Sequence, residues 1–196
     1  MNYLAHLYLS DNIPQVMIGN FIADAVKGKQ WQHYNNAIQY GIKMHRFIDT
    51  FTDEHPLTSA TKKHLYPTCG KYAGAILDII LDHFIANEWN SMHQEDLLNF
   101  TQRFYKLLYE NHNVLPPRFK HMLPYMAQRN WLFNYGNFEG LQRSLTNLSR
   151  RIVANPGIEN AVDVLQNNYL VFSQYHIEFW PELCNAVSTW KLNNKL

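Results

Sequence analysis

The sequence contains only two cysteines, Cys69 and Cys184, and they stand too far apart for a CxxC redox pair or a zinc-knuckle spacing. Both read as ordinary reduced thiols. An excess of one charge is also missing: 17 Lys and Arg face 16 Asp and Glu. No global basic field exists to drive sequence-independent binding to DNA or RNA, so no nucleic-acid partner is expected and an anionic partner has to be caught by a local patch. No apolar run approaches the roughly 18 residues that cross a bilayer. Met1 to Ser10 carries neither a basic n-region nor a cleavage pattern. The expectation is a cytoplasmic protein with no membrane partner, in surroundings that keep its thiols reduced.

Strand signals are scarce as well. β-branched residues rarely alternate with polar ones, and no Asn-Gly or Asp-Gly turn occurs. What is present is an apolar share of 46% and an aromatic share of 14% in 196 residues, enough for one buried core and one domain over 1–196. The spacing of the apolar residues is helical and predicts an all-α bundle. Pro14 opens a helix that runs to Val26 and stops at Lys27-Gly28. From Asn35 to Phe51, Tyr40, Met44, Phe47, Ile48 and Phe51 recur every three or four residues, with His45 and Asp49 beside the stripe. Gly70 to Trp89 is apolar nearly all round and reads as a buried helix. Further helices are expected over 95–110, 117–135, 138–153 and 158–190, the last two parted by Asn155-Pro156-Gly157.

Within the apolar helix, Asp78 and Asp82 lie four residues apart, followed by His83. Like charges at that spacing repel, and an unpaired buried carboxylate is expensive, so a divalent cation is the expected offset. His45 and Asp49 offer an imidazole and a carboxylate on one helical face. His6 and Asp24, each set in apolar surroundings, are candidates for the rest of the shell, as in helical-bundle metal sites. Mixed His and Asp ligation suits Mn²⁺, Mg²⁺ or Fe²⁺. Plainer readings stand beside these: His6 as a hydrogen-bonded core histidine, His45 with Asp49 as an intrahelical hydrogen bond, and Lys43 with Arg46 as a solvated helix face.

The segments Met1-Asn2-Tyr3-Leu4-Ala5-His6-Leu7, Gly19-Asn20-Phe21-Ile22-Ala23-Asp24, Met44-His45-Arg46-Phe47-Ile48-Asp49-Thr50-Phe51-Thr52-Asp53 and Asp82-His83-Phe84 resemble the acyl carrier protein phosphodiesterase family. Weaker echoes continue at Pro116-Pro117-Arg118-Phe119, Trp131-Leu132 and Ser149-Arg150-Arg151. The resemblance implies a Mn²⁺-dependent enzyme, related to the HD-domain phosphohydrolases, that removes 4′-phosphopantetheine from holo acyl carrier protein. The adjacent pair here reads Asp82-His83, reversed from the His-Asp of HD enzymes. On this reading Asp24 or Asp49 orients or deprotonates the attacking water. Arg46 or Lys43 binds phosphate oxygens, Arg46 being better suited to bidentate contact. The acidic carrier is expected to dock on cations drawn from Arg118, Lys120, Arg129, Arg150 and Arg151. Three competing readings remain: an HD-type hydrolase of a nucleotide or other small phosphodiester, a noncatalytic helical protein that binds an acidic partner, and a di-iron oxygenase.

Overall fold

A computed structural model describes residues 3–150, 152 and 157–196. The described residues form helices joined by turns and short irregular segments, with no strand among them, as the apolar spacing predicts. The elements are α1 (Tyr3–Tyr8), α2 (Pro14–Ile22), α3 (Asn36–Glu54), α4 (Pro56–Thr61), α5 (Tyr66–Cys69), α6 (Ala73–Met92), α7 (Leu97–Glu110), α8 (Pro117–Gln128), α9 (Trp131–Asn134), α10 (Phe138–Ser149), α11 (Ala161–Asn167) and α12 (Tyr169–Asn193). None of these helices is long and apolar enough to cross a membrane.

Three of the expected helices are interrupted, and the one expected over 138–153 ends at Ser149. The helix that Pro14 opens changes to a 3₁₀ turn at Ala23–Ala25, so Asp24 sits on a tight turn and not on an α-helical face. The expected 117–135 helix breaks at Asn130, which takes a left-handed conformation (φ 39°) and accepts a hydrogen bond from the Phe133 amide to restart the chain as α9. The expected 158–190 helix is split by Asn168, whose side chain caps a carbonyl of α11. Asn155 and Pro156, assigned to a turn, lie outside the described residues.

The core is one continuous buried cluster. α6 runs through it with Ile76, Ile80, Ile85 and Trp89 all buried. Phe21 of α2 meets Phe119 and Phe104 at ring distances of 4.6 and 5.2 Å. Such tilted and edge-on pairs add to the stabilisation from buried area alone.

Two local devices set the geometry near the amino-terminal end. The first is the close crossing of α2 and α3: a Cβ at Gly19 would lie 2.1 Å from the Ile38 carbonyl oxygen, and one at Gly41 would lie 2.3 Å from that of Val16. Only glycine lets the two backbones approach this closely. The second concerns Asp82. Its carboxylate is fully buried and accepts the backbone N–H groups of Leu4 (2.8 Å) and Ala5 (3.0 Å). These are among the amides that a helix start leaves without an intrahelical partner, so a side chain from the middle of α6 caps α1. Burial pushes the Asp82 carboxyl up to about 7, against the pull of the two amides.

Replacing Asp82 with alanine strands both amides and is expected to cost about 2–4 kcal/mol. Gly41→Ala forces α2 and α3 apart, at a cost of about 1–3 kcal/mol. Urea unfolding midpoints check both, and a wild-type midpoint for either variant contradicts the role given to that residue.

Candidate functional site

α1, the 3₁₀ turn after α2, and α3 converge their polar side chains at one point. α3 contributes His45 and, one turn on, Asp49. His45 Nδ1 lies 2.8 Å from the backbone carbonyl oxygen of Asn20. A carbonyl only accepts, so this nitrogen carries the proton. His45 Nε2 therefore faces the other way, 3.2 Å from Asp24 Oδ1 and 3.0 Å from Asp49 Oδ2. His6 stacks on the His45 ring with centroids 4.0 Å apart. His6 Nε2 is 3.3 Å from Asp49 Oδ1 but is not aligned for a hydrogen bond, and neither nitrogen of this buried ring has a hydrogen-bond partner among the described residues. The backbone that carries His6 is held from two sides, because its carbonyl accepts from Ser10 Oγ (2.8 Å) and from Asn20 Nδ2 (2.9 Å).

The electrostatics follow from this layout. Burial and the neighbouring His45 hold His6 down to about 4, so its ring is neutral at pH 7. Burial alone would lower His45 too, but the carboxylates of Asp24 and Asp49 raise it to about 9. Its hydrogen bond to His45 keeps Asp24 below the usual carboxylate range. For Asp49, burial is outweighed chiefly by His45, with the same result. If His45 is neutral, its Nε2 lone pair points at two carboxylate oxygens, which is repulsive. Only a positive centre between them, a proton or a metal ion, makes the arrangement favourable.

The ligand atoms of His6, His45 and Asp49 lie within 4.8 Å of one another. Two imidazole nitrogens and a carboxylate, with Asp24 alongside, form a donor set suited to a divalent first-row cation. The orphaned His6 Nε2 is the observation that fits a metal best, since a proton between His45 and the carboxylates leaves that atom unsatisfied.

The structure does not bring Asp82 and His83 into this cluster. Both oxygens of Asp82 are taken up by the start of α1. His83 Nδ1 donates to the Tyr135 carbonyl (2.8 Å), and its ring packs on Phe138. A carboxylate pair four residues apart in an apolar helix is thus handled by backbone amides at Asp82, where a cation was the expected offset. Asp78 lies one turn earlier and lines a cavity of about 240 Å³ that also reaches Asp24. Burial raises its carboxyl. Arg118 borders the same cavity. Arg46 is exposed and donates to the Val26 carbonyl at 3.1 Å, close behind the Asp24 turn. Lys43 sits over the Trp31 ring at 4.8 Å. Arg150 is exposed at the end of α10. Arg151 lies outside the described residues.

Sequence reasoning overlooked the Asn20 carbonyl, which sets the His45 tautomer. It also overlooked Tyr3, Ser144 and Asn147 of the cavity wall. A backbone carbonyl carries no residue-type signal, and Ser144 and Asn147 lie more than a hundred positions from Asp24. Neither could be found from spacing.

A family model described as acyl carrier protein phosphodiesterase matches residues 1–183. Proteins named acyl carrier protein phosphodiesterase from Serratia proteamaculans and Photorhabdus laumondii are 29% and 28% identical, covering 93% and 92% of this chain and 95% and 92% of their own lengths. One of the same name from Pectobacterium atrosepticum is 24% identical over 98% of this chain and all of its own. No solved structure matches. A match that spans nearly the whole chain, and with it His6, Asp24, His45 and Asp49, places the protein in the acyl carrier protein phosphodiesterase family, whose name describes phosphoric diester hydrolases.

Proposed function

We propose that this protein hydrolyses the phosphodiester that joins 4′-phosphopantetheine to a serine of holo acyl carrier protein, releasing the apo carrier, with a divalent cation, Mn²⁺ or else Mg²⁺ or Fe²⁺, held by His6, His45 and Asp49. The observation that carries the chemistry is His45 Nε2, aimed at two carboxylates while Nδ1 is committed to the Asn20 carbonyl. The name shared by the relatives carries the substrate. This reading takes residues 1–196 as one HD-like domain. A cytoplasmic setting suits its two free cysteines.

When bound, the cation neutralises charge on the phosphoryl oxygens and lowers the pKa of a nearby water. The protein's own groups do the rest. Asn20 fixes the His45 ring so that Nε2, and not Nδ1, faces the site. Asp24, half-exposed and held ionised, takes the proton of the attacking water as its oxygen bonds to phosphorus. The phosphorus–oxygen bond to the carrier's serine breaks, and that serine oxygen takes a proton from solvent. The products are a free serine hydroxyl and the phosphate monoester of pantetheine. Arg46 uses only part of its guanidinium on Val26 and presents its remaining N–H groups to the phosphate.

Incubation with holo carrier protein and Mn²⁺ is expected to lower the intact mass of the carrier by that of its phosphopantetheine arm. An unchanged mass, with the carrier accepted by a control enzyme, rejects the substrate. Calorimetric titration with Mn²⁺ examines the metal separately: His45→Ala and Asp49→Ala are each expected to weaken binding by at least about 100-fold, while Asp82→Ala, if folded, leaves it within a few-fold of wild type. Equal affinity in all three variants rejects the assigned ligands.

A further inference from the structure

The cavity beside the cluster has no part in the chemistry described so far. Its wall comes from α1, the Asp24 turn, α6, α8, α9 and α10, and Asp24 is the residue it shares with the histidine–carboxylate cluster. At about 240 Å³ it suits one slender chain. Met122, Trp131 and Leu148 offer apolar surface, and Ser144 and Asn147 stand among them with polar atoms. Ser144 Oγ already donates to the Gly140 carbonyl, but its lone pairs can still accept. The Asn147 amide has no hydrogen-bond partner among the described residues. Such a wall matches a narrow ligand that alternates aliphatic carbon with amide groups, which is the chemistry of pantetheine.

On the reading given above, we propose that this cavity receives the pantetheine arm, with its phosphate end at Asp24 and its thiol end toward Trp131. The orientation has a consequence for the carrier. Its serine is attached at the phosphate end, so the body of the carrier sits on the Asp24 side. Lys27 and Lys29, exposed and within five residues of Asp24, are then the nearby cations that meet an acidic carrier.

The test fills the cavity. Leu148→Trp is expected to raise KM for holo carrier protein at least ~10-fold, with Mn²⁺ affinity and the circular dichroism spectrum unchanged. Free pantetheine is expected to compete with holo carrier protein on wild type and not on Leu148→Trp. Should Leu148→Trp fail to fold, Trp131→Ala takes its place, with weaker competition by pantetheine as the expected sign. A folded Leu148→Trp protein with wild-type KM overturns the proposal, and so does competition by adenosine in place of pantetheine. If wild type cleaves no holo carrier protein, the proposed function fails, whereas calorimetry with pantetheine alone still decides the cavity: binding to wild type and not to Leu148→Trp supports it, and no binding overturns it. Lys27→Glu combined with Lys29→Glu is expected to raise KM for holo carrier protein while leaving the affinity for free pantetheine unchanged, and an unchanged KM overturns the orientation.

Discussion

A hydrogen bond from His45 Nδ1 to the Asn20 carbonyl decides what the site can be. It removes one nitrogen of the ring from chemistry and turns the other toward Asp24 and Asp49. Two carboxylates and a neutral imidazole lone pair converging on one point form an unstable arrangement without a positive charge, and the buried His6 ring stacked alongside adds two further nitrogens without a hydrogen-bond partner among the described residues. A proton on His45 relieves the first conflict and leaves the second. A metal ion would relieve the first and satisfy one of the two His6 nitrogens, which is the basis for proposing the donor set as a cation site.

The rest of the fold keeps that convergence in register. Gly19 and Gly41 let α2 and α3 touch backbone to backbone, bringing the Asn20 carbonyl within reach of a histidine 25 positions later. Asp82 holds the start of α1 against α6, and Asn20 and Ser10 hold the His6 carbonyl. Three separate segments are thereby fixed by contacts that involve none of the side-chain atoms converging in the cluster. Asp24, on a 3₁₀ turn and half-exposed, is the member of the cluster that meets both solvent and the neighbouring cavity. That position suits a group exchanging protons with water better than one sealed in the core.

Much of this was legible in the residues alone. Helical periodicity, in the absence of strand signals, pointed to an all-helical fold, and polar residues set in apolar helices singled out His6, Asp24, His45 and Asp49. The same logic applied to Asp82 and His83 led elsewhere. Spacing shows that a buried carboxylate needs an offset but not which partner supplies it. For Asp82 the partner is a pair of amides at a helix start 77 and 78 positions away, invisible to any local pattern. The breaks at Asn130 and Asn168 were missed for a related reason: each is a single polar side chain overriding an otherwise helical stretch. The cavity wall, drawn from six segments, carries no linear signature at all.

The reading of the cluster as a cation site meets its most direct test in anomalous diffraction from crystals soaked in Mn²⁺. The expected result is a single strong peak about 2.2 Å from His6 Nε2, His45 Nε2 and an Asp49 oxygen. A map without a peak there, or with one at Asp82 and His83, contradicts it.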